Sequence, residues 1–187
     1  MGPNRTVEGW LACPVVDSTK VETVRDRLYN WLGEPETYRR EHEPHVSLFG
    51  VRLPEDRAET FERDFEEFAD RVGGWNGVVE GYLLYPSVRN PMVVTLDVSF
   101  PFESVASPIA DLLAQHGGRI SRKPTIPHLT LLKGGVRGEE LQWAQVDEET
   151  RRRLSTVCGR REAADTPDSI VEPRFSVSIG RPELEWD

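Results

Sequence analysis

At 187 residues the chain is about one domain's worth by a prior of ~150 residues per domain, and a unit of that size buries roughly 70% of its extended-chain surface without disulfide staples. Thirty-two acidic against 23 basic residues give a net charge of −9, which disfavours adhesion to duplex nucleic acid. Five Trp, four Tyr and seven Phe argue against disorder, no apolar run approaches the ~20 residues that cross a bilayer, and the first residues lack a signal-like apolar core. Cys13 and Cys158 offer neither a disulfide framework nor a zinc set, so the expectation is a cytoplasmic protein with no membrane and no duplex DNA as partner.

Residues 9–16, apolar and bounded by turn formers, predict a buried strand. Asp17, Ser18 and Thr19 then open a helix, with Thr19 and Glu22 spaced as a capping box. Val21, Val24, Leu28 and Leu32 recur at helical spacing until Gly33 and Pro35 end it. Residues 45–50 alternate as a short strand. Pro54 opens a second helix with the stripe Ala58, Phe61, Phe65, Phe68 and Val72, stopped by Gly73 and Gly74. Residues 78–85 and 92–98 predict two strands joined by a turn at Asn90 and Pro91. Ser107 and Pro108 predict the cap and first turn of a short helix running to Gln115, closed by Gly117 and Gly118. A strand over 128–133, a polar helix over 139–157, a loop over 160–173 and a last strand over 175–179 complete the chain.

The order of elements nearly repeats. From Gly9 to His45 and from Met92 to His128 the spacing is 36 residues in both cases, each stretch running strand, helix, strand. The expected class is therefore α+β: a single domain over residues 1–187 made of two pseudo-symmetric lobes, with mainly antiparallel strands, helices outside and a central cleft. Charge is also uneven. Residues 112–138 contain no Asp or Glu but hold Arg119, Arg122, Lys123, Lys133 and Arg137, leaving −14 for the remainder. A cationic island in an acidic protein suits a small anionic ligand. With only three Lys among the bases, the composition fits a GC-rich genome or a salt-loving host and does not separate the two.

The two histidine strands share a pattern. Pro44, His45, Val46, Ser47 and Leu48 match Pro127, His128, Leu129, Thr130 and Leu131 as proline, histidine, aliphatic, hydroxyl residue and leucine. Residues two apart on a strand share a face, so His45 projects with Ser47 and His128 with Thr130, while the aliphatics anchor the other face. Brought together, two imidazoles can take and give a proton near neutrality, and two hydroxyls can donate to an anion's oxygens. A phosphodiester needs such a base on the attacking oxygen and such an acid on the departing one.

Two H-x-[S/T] motifs about eighty residues apart resemble those of the two-histidine (2H) phosphoesterase superfamily, in its 2′-5′ RNA ligase-like and cyclic phosphodiesterase branch. Residues 127–133 match the second motif, with Lys133 where bacterial members often carry Arg; in the first, Ser47 replaces the commoner Thr and the strand leaves through Phe49 and Gly50. The resemblance implies a metal-independent hydrolase, with no cofactor, acting on a 2′,3′-cyclic phosphate, a 2′-5′ linkage or a related diester at a nucleotide or short RNA end. On that reading His45 and His128 are catalytic and Ser47 and Thr130 bind the phosphate. Lys133, which alternation sets on the face opposite His128, and Arg122 and Lys123, expected in a loop before the motif, are candidate substrate contacts, and Tyr85, Tyr82 or Trp75 can stack on a base. The alternatives are degradation of cyclic or 2′-5′-linked signalling oligonucleotides and a non-catalytic nucleotide-binding module. Glu41, His42, Glu43 and His45 invite a metal-site reading that Pro44 disfavours, because it breaks the helix their spacing requires. No G-x-S-x-G elbow, P-loop or G-x-G-x-x-G is present, and Cys13 sits within the first apolar strand.

Overall fold

Alternating apolar positions in the strands and 3.6-residue stripes in the helices sort the chain onto one sheet and the helices that cover it. The computed structural model describes residues 5–85, 93–124, 126–135, 141–158, 170 and 173–187. Their strands are β1 (Thr6–Pro14), β2 (Tyr38–Arg40), β3 (His45–Pro54), β4 (Trp75–Tyr85), β5 (Val93–Ser99), β6 (Arg119–Arg122), β7 (His128–Gly134), β8 (Phe175–Ile179) and β9 (Glu183–Trp186). They form a single antiparallel sheet in the order β8-β4-β5-β7-β3-β1-β9, with β2 added to β7 and β6 to β3. The helices are α1 (Thr19–Trp31), α2 (Ala58–Val72), α3 (Phe102–Gln115) and α4 (Glu148–Cys158). Among the described residues no helix is long and apolar enough to cross a membrane.

The repeat is a register-level duplication with an offset of 83 residues. That offset carries α1 onto α3 from their first residues, Thr19 and Phe102. It carries the pairs Trp10–Gly50, Leu11–Phe49, Ala12–Ser47, Cys13–Val46 and Pro14–His45 onto Val93–Lys133, Val94–Leu132, Thr95–Thr130, Leu96–Leu129 and Asp97–His128. Even the bulges correspond: Leu48 is the extra residue of β3 between Ser47 and Phe49, and Leu131 that of β7 between Thr130 and Leu132. The halves are interleaved. α1 packs against β7 and α3 against β3, while β2 of the first half pairs with β7 and β6 of the second with β3. Leu11, Cys13, Val46, Phe49, Val94, Leu96, Leu129 and Leu132, all without solvent exposure, form the core on one face of the sheet.

Several boundaries differ from expectation. The cap of α1 is Ser18, whose hydroxyl bonds the Glu22 carboxylate while Asp17 accepts from the Thr19 amide at 3.1 Å; the Thr19–Glu22 box does not form. Pro108 lies inside α3 instead of opening it. An interior proline costs a helix about 3 kcal/mol, but Phe102, Val105, Ile109 and Leu113 are buried on this one, each contributing about 1.5–3 kcal/mol, so the stripe prevails. The polar helix is shorter than expected because Asp147 accepts the Thr150 amide at 2.8 Å and starts α4 there, after a 3₁₀ turn at Trp143–Gln145. β3 runs to Pro54, and β9 follows the strand expected to be last. The turn at Asn90 and Pro91 and most of the loop over 160–173 lie outside the described residues.

Candidate active site

β3 and β7 touch through one bridged pair, Val46 opposite Leu129, after which β2 and β6 take over as their partners. Both side chains of that pair are wholly buried and face the core. Their neighbours therefore face the other way, and an antiparallel ladder centred on Val46–Leu129 sets His45 across from Thr130 and Ser47 across from His128. The sheet thus brings all four motif residues to one patch at the crossing of the two halves. His128 is 5% and Thr130 6% exposed, whereas His45 and Ser47 are half-buried, so the second motif forms the floor of the patch.

Each imidazole is held in the same way. Nδ1 of His45 lies 2.7 Å from the carbonyl oxygen of Glu43, and Nδ1 of His128 lies 2.9 Å from that of Ile126, two residues upstream in both cases. A carbonyl accepts only, so both Nδ1 atoms carry the proton and both Nε2 atoms remain for chemistry. Tyr85, at the end of β4, stacks on His128 with centroids 4.3 Å apart and planes 27° from parallel. Burial, reinforced by the nearby His45, pushes His128 below the ordinary imidazole value despite the opposing bond to Ile126.

The bulge at Leu131 shifts the parity of β7. Lys133 pairs with Val93 on the face shared by Thr130 and Thr95, so the lysine comes to the histidine face, against the simple alternation of the strand. There it forms an ion pair with Glu41, the residue that leads from β2 into the histidine strand. Arg25 Nη1 holds the Glu41 carbonyl at 2.6 Å, and the Glu41 amide donates to the Leu131 carbonyl at 2.8 Å. Burial alone would raise the Glu41 carboxyl, but Lys133, with His45 and the Glu43 amide, brings it below the usual value.

Of the other sequence candidates, Arg122 ends β6 opposite Gly50, so it lies on a strand and not in a loop, and it is exposed on the histidine face. Lys123 turns away to Glu103 at 3.0 Å and sits 5.3 Å from the Phe102 ring centroid. Tyr82 is buried on the core side, paired with Leu96, and Trp75 packs edge-on to Phe100 at 5.4 Å; neither joins the patch. Cys13 is buried, and burial, with Glu183 adding, raises its thiol to about 12. Among the described residues no three His, Cys, Asp or Glu side chains group as a metal site, so Glu41, His42, Glu43 and His45 do not converge. Sequence reading missed Glu41 as the partner of Lys133, and Arg39, which pairs with Lys133 across β2 and β7. The offset of 83 would have found Arg39, since it carries Arg39 onto Arg122.

A duplicated histidine strand in an interleaved antiparallel α+β fold is the arrangement expected of the two-histidine phosphoesterases. Residues 14–160 match the family model described as the 2′-5′ RNA ligase superfamily, and the chain belongs to that superfamily. Among solved structures it is similar to the crystal structure of the MHV ns2 PDE domain, at 15% identity and a TM-score of 0.58, covering 97% of this chain and 99% of that one. It is also similar to TT0787 of Thermus thermophilus, at 16% identity and a TM-score of 0.52, covering 94% of this chain and 86% of that one. At these identities the likeness is one of fold. A search of curated proteins gives no match.

Proposed function

We infer that the protein, working as one domain over residues 1–187, is a phosphodiesterase for RNA-type diesters, a 2′,3′-cyclic phosphate or a 2′-5′ linkage, using paired-histidine acid–base catalysis that needs no metal. The observation that carries this is the matched pair of Nδ1–carbonyl bonds, which leaves two Nε2 atoms facing one patch. A binding module needs no such matched pair. With the diester held by the Ser47 and Thr130 hydroxyls, one Nε2 removes a proton from water as its oxygen attacks phosphorus. The other gives its proton to the ribose oxygen as the P–O bond breaks, leaving a monoester and a free hydroxyl. His128, pushed toward the neutral form, suits the base, which leaves the acid to His45. Lys133, balanced by Glu41, adds positive charge beside the phosphate. The printed title of the MHV ns2 structure, a PDE domain, agrees with this class of chemistry.

The test is turnover, in excess EDTA, of the four 2′,3′-cyclic nucleotides, of 2′-5′ and 3′-5′ dinucleotides and of cyclic dinucleotides. Cleavage within the first two groups is expected. Tight binding of one compound without turnover would make the protein a binding module, and activity lost to EDTA and restored by metal would overturn the metal-free mechanism.

A further inference from the structure

At one row of the histidine face the two halves of the sheet differ in a way that has the form of a nucleobase site. Trp10 of β1 pairs with Gly50 of β3, and Gly50 with Arg122 of β6, so the three lie side by side across three strands. Paired residues share a face, and the bulge at Leu48 sets this row on the face of His45 and Ser47. A Cβ on Gly50 would lie 3.2 Å from both Cε3 and Cζ3 of Trp10 and 2.5 Å from the Ser121 hydroxyl. The Cε3–Cζ3 edge of the indole therefore packs over the glycine, and a Cβ at position 50 would crowd it. Trp10 remains half-buried there. In the other half the same row reads Val93, Lys133 and Arg39, two cations and no aromatic ring.

Other aromatic rings near the sheet are already engaged. Tyr85 stacks on His128, Trp75 meets Phe100, Trp186 meets Phe61, and Trp31 lies under the Arg153 guanidinium. Trp10 has no ring or cation against it among the described residues, and three strand positions separate its partner Gly50 from Ser47, roughly 7–10 Å along the strand. That places a flat apolar ring one nucleotide's reach from the proposed scissile phosphate. We propose that Trp10, Gly50 and Arg122 form a nucleoside subsite: the base flanking the scissile diester stacks on the Trp10 indole, and Arg122 engages the phosphate beyond it. The substrate then lies with one base on the first lobe and its charge toward Lys133 and Arg39 on the second. The exposed Glu183 and Glu185, paired with Ala12 and Trp10 at the outer edge, steer the anionic chain inward toward Arg122.

This subsite rests on the reading of the histidine pair as a phosphodiester centre, and the experiment separates the two. The probes are adenylyl-2′-5′-adenosine and its two analogues with an abasic ribose on one side or the other. Binding is measured calorimetrically on His128→Ala protein and turnover on the protein with both histidines. One abasic analogue is expected to bind roughly tenfold more weakly, the scale of base–aromatic stacking. Trp10→Ala and Trp10→Leu, the second keeping apolar cover without a π face, should abolish that preference, and Trp10→Phe should retain most of it. Arg122→Ala should weaken binding of a terminally phosphorylated dinucleotide more than of the unphosphorylated one. Equal effects of the Trp10 variants on all three probes refute the subsite even if the diester is cleaved. Base-dependent, Trp10-dependent binding without cleavage by the protein with both histidines supports the subsite and refutes the chemistry. No binding of any probe refutes both.

Discussion

Replacing Leu129 by alanine attacks the fold and the site at the same point. Leu129 and Val46 are the one bridged pair between the two histidine strands, and both are fully buried. Truncating such a leucine costs its transfer free energy and leaves a cavity, about 3 kcal/mol in all. In a chain of this length each kcal/mol lowers Tm by about 2–4 °C, so the expected fall is roughly 6–12 °C. The adjoining His128 and Thr130 hang from the same strand. A shift of about 1 Å between reacting groups costs on the order of 10²-fold, so kcat should fall by that order while KM moves little. Leu129→Met, which nearly conserves volume, should cost less than about 1.5 kcal/mol and recover most of kcat. Urea unfolding and steady-state kinetics at 25 °C on the same preparations make the comparison. A variant destabilised by the stated amount yet with unchanged kcat, assayed well below its Tm, would refute the argument that this crossing positions the imidazoles.

Stability should depend on pH through His128. Its folded pKa lies below the unfolded value because burial, with His45 nearby, disfavours the charged ring, so between the two values the unfolded chain binds more protons. Stability should therefore fall as pH drops below about 6.5, and His128→Gln should flatten that slope in urea midpoints measured from pH 7.5 to 5; an unchanged slope contradicts the assignment. Glu41→Gln should destabilise by about 1–2 kcal/mol, between the values for buried and exposed pairs, since Glu41 is 12% and Lys133 41% exposed. The Glu41 contribution is present above the unfolded glutamate pKa and lost as pH falls through its lowered folded value, so the variant's deficit should shrink in acid. Cys13, buried and raised to about 12, should resist iodoacetamide in the native protein and react only with the rate of unfolding; rapid alkylation without unfolding would place it elsewhere.

The motif residues were legible because chemistry and alternation coincide there. A strand of period two fixes which side chains share a face, and the repeated proline-histidine start fixes where it begins. Legibility ended where a bulge or a long-range pairing intervened. Alternation alone puts Lys133 on the wrong face, because a bulge at Leu131 has no local signature. β2 and β6 are three and four residues long and make sense only across the sheet, which is why Arg39 and the strand setting of Arg122 were hidden. Ser107 and Pro108 carried a strong start signal, and the buried stripe beginning at Phe102 overrode it. The 83-residue offset was written in the chain as the spacing of the two histidines, but the helices and bulges that obey it share almost no residue identity.

The paired-histidine chemistry is decided by turnover of His45→Ala and His128→Ala proteins on whichever diester the unmodified protein cleaves in EDTA, with folding checked by circular dichroism. Each should lose roughly 10²–10⁴-fold in kcat. The double variant should lose little more than the worse single one, because acid and base act in one step. Either single variant folded and fully active would overturn the paired-histidine chemistry.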